Sequence, residues 1–432
     1  MTQFLRSSDP EFAQRFEALV QARRDQPADV RDAVRSIIEE VKGRGDEALI
    51  AFAARFDHVD LRETGLAVPP DELKAAYAAL APDLKAALTI AHQRIEAHHR
   101  RHVPSNDRYA DATGAELGHR WTAIDSVGLY VPGGKASYPS SVLMNAVPAK
   151  VAGVGRIVMV APTPRGEVNP AVLAAAHLAG VTEVYRIGGA QAVAALAYGT
   201  ETIEPVVKIA GPGNVYVAEA KRQVFGVVGI DSIAGPSEVV VVADSKADPR
   251  WIAADLLAQA EHDEAAQSIL ITDSAALAQS TASAVEQQLA SMPRGSIAAK
   301  SWKDHGAILL VTDLAEEAPS LVNALAPEHL ELCCAAAEDI LPSIRNAGAI
   351  FIGHYTPEAV GDYVAGSNHV LPTTRTARFS SGLGVLDFMK RTSLLKLSRE
   401  SLAALGPATM TLAETEGLYG HRLSVAIRLQ GA

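Results

Sequence analysis

Three pairs of residues in this sequence have types and spacings that suit chemistry. Gln259 and His262 lie three apart in PRWIAADLLAQAEH, so on a helix they project from one face near its end, where a site can open. A solvated polar stripe shared with Glu261 and Asp263 would look the same. Asp362 and His369 fall in GDYVAGSNHVLPT, a turn-prone stretch after the apolar run AIFIG, and His421 follows EGLYG near the end of the chain. Gln, His, Asp and His together offer two imidazoles and two oxygens, a set that suits zinc where thiolates are absent. If the four do not converge in space, they are unconnected loop residues. In APEHLEL, Glu328 and His329 put a carboxylate beside an imidazole at a strand entrance, an arrangement for proton transfer or equally a solvated Glu with a capping His. Ser237 sits in a turn before EVVVV, where its hydroxyl caps the turn or binds a substrate.

The elements that must position these residues are legible from periodicity. Residues 9–100 carry apolar positions at helical spacing, as in DVRDAVRSIIEEVKGRGDEALIAFAARF, and predict a helical lead-in ending near His99. LGHRWTAIDSVGLYV alternates, and the Pro-Gly-Gly at 132–134 ends it, which predicts a hairpin feeding a new domain. From RIVMVAP to NVYVAEAKRQVFG short buried strands alternate with helices, the pattern of a parallel sheet covered on both faces. A second series runs from EVVVVAD through SILITD and GAILLV to GAIFIG. The expectation is therefore an α/β protein with two similarly organised parallel-sheet halves. The stretch from about Ser380 reads as an appendage with a final helix around Leu412.

No G-x-G-x-x-G fingerprint is present. RIGGAQAVAAL and IAGPGNVYVAEA are the nearest substitutes, each a strand, a glycine turn and a helix able to present its amino terminus to phosphate.

Composition narrows the classes. A chain of 432 residues, 48% hydrophobic and 21% charged, is too long for one core, so two or more domains are expected. Its formal charge of −11, with no run of basic residues, argues against a nucleic-acid partner. The first residues lack a basic region followed by an apolar run, and no stretch approaches a membrane span, so a cytoplasmic protein is expected. The two cysteines, Cys333 and Cys334, are neighbours, which leaves neither a disulfide framework nor a thiolate metal site.

Long segments, in order, resemble the histidinol dehydrogenase family: VGLYVPGGKASYPSSVLMNAVPAKVAGV, RIGGAQAVAALAYGT, KIAGPGNVYVAEAKR, GIDSIAGPSEVVV, LLAQAEHD, APEHLEL, GSNHVLPT, ARFSSGLGVLDFMKR and EGLYGHRLSVAIR. The resemblance runs from about Asp29 to near the end. It implies two Rossmann-like domains, one from 29–129 plus 237–380 carrying most metal and catalytic residues and one from 130–236 binding NAD. They would be flanked by a helical extension (1–28) and a carboxy-terminal extension (381–432). It implies zinc held by Gln259, His262, Asp362 and His421, with Glu328 and His329 as the proton-transfer pair. Substrate contacts would come from Ser237, Gln259, His262, His329, Asp362, His369, Glu416 and His421, and NAD contacts from Tyr130, Gln191 and Asn214. It further implies an intertwined homodimer in which the segment with Glu416 and His421 completes the partner's site.

The implied reaction takes L-histidinol through L-histidinal to L-histidine with two NAD. His329 would accept the alcohol proton, and Glu328 would activate water against the aldehyde. Two alternatives stand beside it. One is a related zinc-dependent dehydrogenase of another small diol, such as a sulfonated propanediol. The other is a protein that binds zinc and nucleotide without catalysis.

Overall fold

The computed structural model describes residues 2–22, 30–133, 138–233 and 235–430. Asp29, Ala234 in IAGPSEV and the Gly-Lys-Ala-Ser at 134–137 lie outside the described residues. The strands in chain order are β1 (Gln3–Arg6), β2 (Asp107–Ala110), β3 (Glu116–Ala123), β4 (Ser126–Tyr130), β5 (Arg156–Val160), β6 (Glu183–Tyr185) and β7 (Lys208–Ala210). They continue with β8 (Gly229–Ile230), β9 (Glu238–Ala243), β10 (Gln267–Thr272), β11 (Ala307–Leu310), β12 (His329–Cys333), β13 (Ala349–Ile352) and β14 (Met389–Lys396).

Two parallel sheets form the body, one ordered β6-β5-β4-β7-β8 and the other β1-β11-β10-β9-β12-β13. The α/β class and its two parallel halves agree with the periodicity. β9 shows the cause: Glu-Val-Val-Val-Val-Ala is buried at every position, as a central parallel strand covered on both faces must be. Val239, Val241 and Cys333 pack under the helix Pro249–Ala260, while Val240, Val242, Leu330 and Leu332 pack with the helix Leu314–Leu325 on the other face.

Three details differ from the sequence reading. β3 and β4 do not form a hairpin; β3 joins β2 and β14 in an antiparallel sheet, and β4 is central in the five-stranded one. Residues 3–6, inside the segment read as a helical extension, pair with β11 as an edge strand. The helical lead-in sends Val34, Ile38, Leu49, Leu88 and Ile95 into the two cores of the five-stranded sheet rather than the six-stranded one.

After β14 the chain ends in two helices, Arg399–Thr415 and Tyr419–Gln430, which pack mainly on each other. Gly406 permits their approach, since a Cβ there would stand 2.8 Å from Leu429. Leu412 (64% exposed), Tyr419 (69%) and Ile427 (52%) face outward, a density of exposed apolar side chains that a free arm does not need.

Candidate active site

The six-stranded sheet contributes the starts of its strands. The helix Pro249–Ala260 begins with Pro at its first turn and an Asp248 cap, crosses the sheet and delivers Gln259 and His262 to the amino ends of β9 and β12. The helix Leu314–Leu325 stops at Ala326, whose φ of +43° turns the chain into Glu328 and His329 at the start of β12. The helix Glu358–Tyr363, anchored where the Glu358 N–H donates to Glu331 Oε1 at 2.7 Å, brings in Asp362.

Ser237, His262, Glu328, His329, Asp362 and His369 line one cavity of about 280 Å³. His329 Nδ1 lies 3.2 Å from the Glu238 carbonyl. A carbonyl only accepts, so Nδ1 carries a hydrogen in either charge state, and Nε2 has a free lone pair only in the neutral ring. Nε2 is 3.5 Å from Asp362 Oδ1 and makes no hydrogen bond. His369 repeats this logic: Nδ1 donates to the Asp362 carbonyl at 2.9 Å, leaving Nε2 to accept from the Ser141 hydroxyl at 3.3 Å. Glu328 Oε2 accepts from the Glu238 N–H at 3.1 Å.

Burial pushes the Glu328 carboxyl up to about 7, against the pull of His329 and the Glu238 N–H. Burial also pushes Glu358, whose Oε2 is 3.6 Å from His329 Nδ1, up to about 8. For His329 burial acts downward, but Glu358, Glu328 and Asp362 together outweigh it and hold the imidazole well above its ordinary value. His262 and His369 are lowered by burial and so favour the neutral, ligating form.

Zinc is the group the resemblance implies, and the donor set was tested against it. Gln259 is buried with neither side-chain atom hydrogen bonded, which costs about 1–3 kcal/mol per orphaned group unless a ligand takes it. One turn further along the same segment, His262 senses the Asp362 charge inside the cavity. An orphaned amide beside a neutral imidazole and a carboxylate fits a cation that takes nitrogen and oxygen donors. The set is incomplete in one chain: among the described residues no three His, Cys, Asp or Glu side chains are grouped to hold a metal. His421 and Glu416 are exposed on the carboxy-terminal arm and do not line this cavity.

The five-stranded sheet contributes the ends of its strands. Tyr130, Gln191 and Asn214 line a second pocket, of about 660 Å³, with the glycines that follow β4 and β6. The Tyr130 hydroxyl accepts from the Gly189 N–H at 3.0 Å, and burial pushes it up to about 12, so it remains a neutral phenol. Gln191 is buried on the helix Gly189–Tyr198. Asn214 caps the helix Val215–Val224 by accepting from Tyr216 and Val217 N–H. A hollow of about 460 Å³ bordered by Gly133, Asn214, Tyr138 and His262 lies between the pocket and the cavity.

Sequence reasoning missed Ser141, Glu358 and the buried pair Lys221–Asp231, all beside or within the cavity. Only Lys221 left a trace, as a cation on the apolar stripe Val217, Ala220, Val224. The two thiols are free and buried; burial pushes Cys334 up to about 11 and Cys333 higher, so neither is a thiolate, and neither lines the cavity.

A histidinol dehydrogenase family model matches residues 20–429. The chain is 63% identical over 421 residues to histidinol dehydrogenase of Rhizobium meliloti (strain 1021), covering 98% of this chain and 97% of the relative. It is 60% identical over 425 residues to that of Rhodospirillum rubrum, with 98% of each covered. The crystal structure of histidinol dehydrogenase from Elizabethkingia anophelis superposes with a TM-score of 0.95 at 35% identity, covering 99% of this chain and 98% of that one. Identity at this level over nearly the whole chain, together with a cavity that gathers the expected proton-transfer pair and two of the four expected ligands, leads to one assignment: the chain belongs to the histidinol dehydrogenase family.

Proposed function

We propose that the chain oxidises L-histidinol through L-histidinal to L-histidine, the closing steps of histidine biosynthesis, using two NAD and a zinc ion. The observation that carries this reading is the tautomer of His329. Its Nδ1–H is fixed on the Glu238 carbonyl, so once the ring is neutral Nε2 is the nitrogen left to accept the carbinol proton while hydride leaves for the nicotinamide, and the neighbouring carboxyl groups stabilise the imidazolium so formed. In the second oxidation Glu328 removes a proton from the water that adds to the aldehyde, and His329 again takes the proton released as the second hydride leaves.

Gln259, His262 and Asp362 would hold the zinc with His421 of a second copy. Zinc at that place would orient the substrate's amine and imidazole nitrogens. Ser237 and His369 complete the substrate wall, and Tyr130, Gln191 and Asn214 hold the dinucleotide in the second pocket.

The exposed apolar arm, with Glu416 and His421 far from their own cavity, supports an intertwined homodimer in which each arm closes the other protomer's site. The carboxylates Glu328 and Asp362 favour a cationic amine over an anionic sulfonate. Among the described residues no helix is long and apolar enough to cross a membrane.

The deciding measurement is NADH formed per histidinol consumed to completion. Two per substrate, abolished by a chelator and restored by zinc, is the expected result. No turnover by folded, zinc-loaded protein would sink the reading.

A further inference from the structure

Lys221 is a fully buried cation that the reaction scheme does not use, exposed by only 2% and ion-paired with Asp231, itself buried. A buried ion pair is a poor source of stability, because removing two charges from water offsets most of their attraction. Its surroundings show what it fixes. Lys221 Nζ donates to the Gly211 carbonyl at 3.1 Å, and Asp231 Oδ2 accepts from the Gly211 N–H at 2.7 Å. The two members of the pair thus hold one glycine residue by its N–H and by its carbonyl, fixing the peptide units on both sides of its Cα.

Gly211 directly follows β7, with φ of +112° and so little room that a Cβ would stand 2.2 Å from the Tyr130 carbonyl at the end of β4. Lys221 lies on the helix that follows β7, and Asp231 directly follows β8. The turn they hold, Gly211–Pro212–Gly213, walls the substrate cavity, and the next residue, Asn214, walls the dinucleotide pocket.

We propose that Lys221 and Asp231 are positioning residues for hydride transfer: by clamping Gly211 they fix the Gly211–Asn214 turn, against which the nicotinamide end of NAD rests beside the substrate carbinol. The inference depends on the NAD-dependent reading above. Neither side chain touches a reacting atom; the pair sets the height of the turn, and a displacement of about 1 Å in such a support costs on the order of 10²-fold in rate.

The test is Lys221→Met/Asp231→Asn, which leaves no buried charge and keeps an acceptor for the Gly211 N–H, whereas a single charge deletion strands its partner. Zinc content and melting temperature should match the wild type, since the proposed ligands sit on the other sheet. The kcat should fall roughly tenfold or more, the NAD dissociation constant by calorimetry should rise, and the primary isotope effect with carbinol-dideuterated histidinol should increase. A purely structural role would not move the isotope effect. A folded double variant with kcat, NAD affinity and isotope effect all within about twofold of wild type would overturn the proposal.

Amide hydrogen exchange on the wild type is a second measurement that needs no variant. Slow exchange at Gly211 without NAD is expected, and fast exchange overturns the clamp. A wild-type chain that binds NAD but leaves histidinol unoxidised sinks the substrate reading alone, because NAD affinity and exchange still judge the clamp.

Discussion

At the scale of single residues, the roles proposed for Glu328 and His329 separate in time. Glu328→Gln should slow oxidation of added histidinal by about 10²–10⁴-fold while sparing most of the first hydride transfer, measured as NADH released from each substrate in a single turnover. Burial holds the Glu328 carboxyl up at about 7, and the base must be ionised to act. Histidinal oxidation should therefore rise with pH through an apparent pKa at or below about 7, bound zinc pulling it lower; a flat profile from pH 5 to 8 would remove Glu328 from the role. Gln259→Leu makes two opposite changes. It should weaken zinc binding by at least about tenfold, yet raise the melting temperature of chelated protein, because an orphaned amide gives way to an apolar group. The thiols are neither ionised nor in the cavity, so Cys333→Ser/Cys334→Ser should keep aldehyde oxidation within about threefold of wild type in folded protein.

At the scale of elements, Asn214 serves both fold and site. Asn214→Ala removes a helix cap worth about 1 kcal/mol and should also raise the KM for NAD, whereas a capping role alone would lower stability and leave KM unchanged. The strands and covering helices were legible because a buried parallel strand must be an apolar run such as EVVVVA. Pairing was not legible. β3 looks like the first arm of a hairpin with β4, but its partner β14 lies far along the chain, and alternation records which face is buried, not which strand lies beside it. The expected zinc donors, Glu328, His329, Tyr130 and Asn214 were reached through the family resemblance, with all but Asp362 inside long matching motifs. Ser141 and Glu358 were missed because a serine in an apolar helix and a glutamate opening a short one leave no periodic mark.

At the scale of the whole molecule, the proposed exchange of arms would make the two active sites interdependent. Mixing Glu328→Gln protein with His421→Asn protein, after reversible dissociation, should restore roughly a quarter of wild-type histidinal oxidation from two parents deficient in that step, because about half of the dimers are hybrids and half of each hybrid's sites receive a sound body and a sound arm. No recovery in verified hybrids would mean that each arm serves its own chain.

The two sheets also meet with opposite polarity, the strand ends of one facing the strand starts of the other. On the dinucleotide side the helices Gly189–Tyr198 and Val215–Val224 begin at the cleft; on the substrate side Pro249–Ala260 and Leu314–Leu325 finish there. Summed peptide dipoles give the cleft a positive wall and a negative wall before any side chain is counted. The pyrophosphate of the proposed dinucleotide would be drawn to one wall, and the proposed metal ion and a protonated amine to the other, so each ligand would meet an unfavourable field in its neighbour's place.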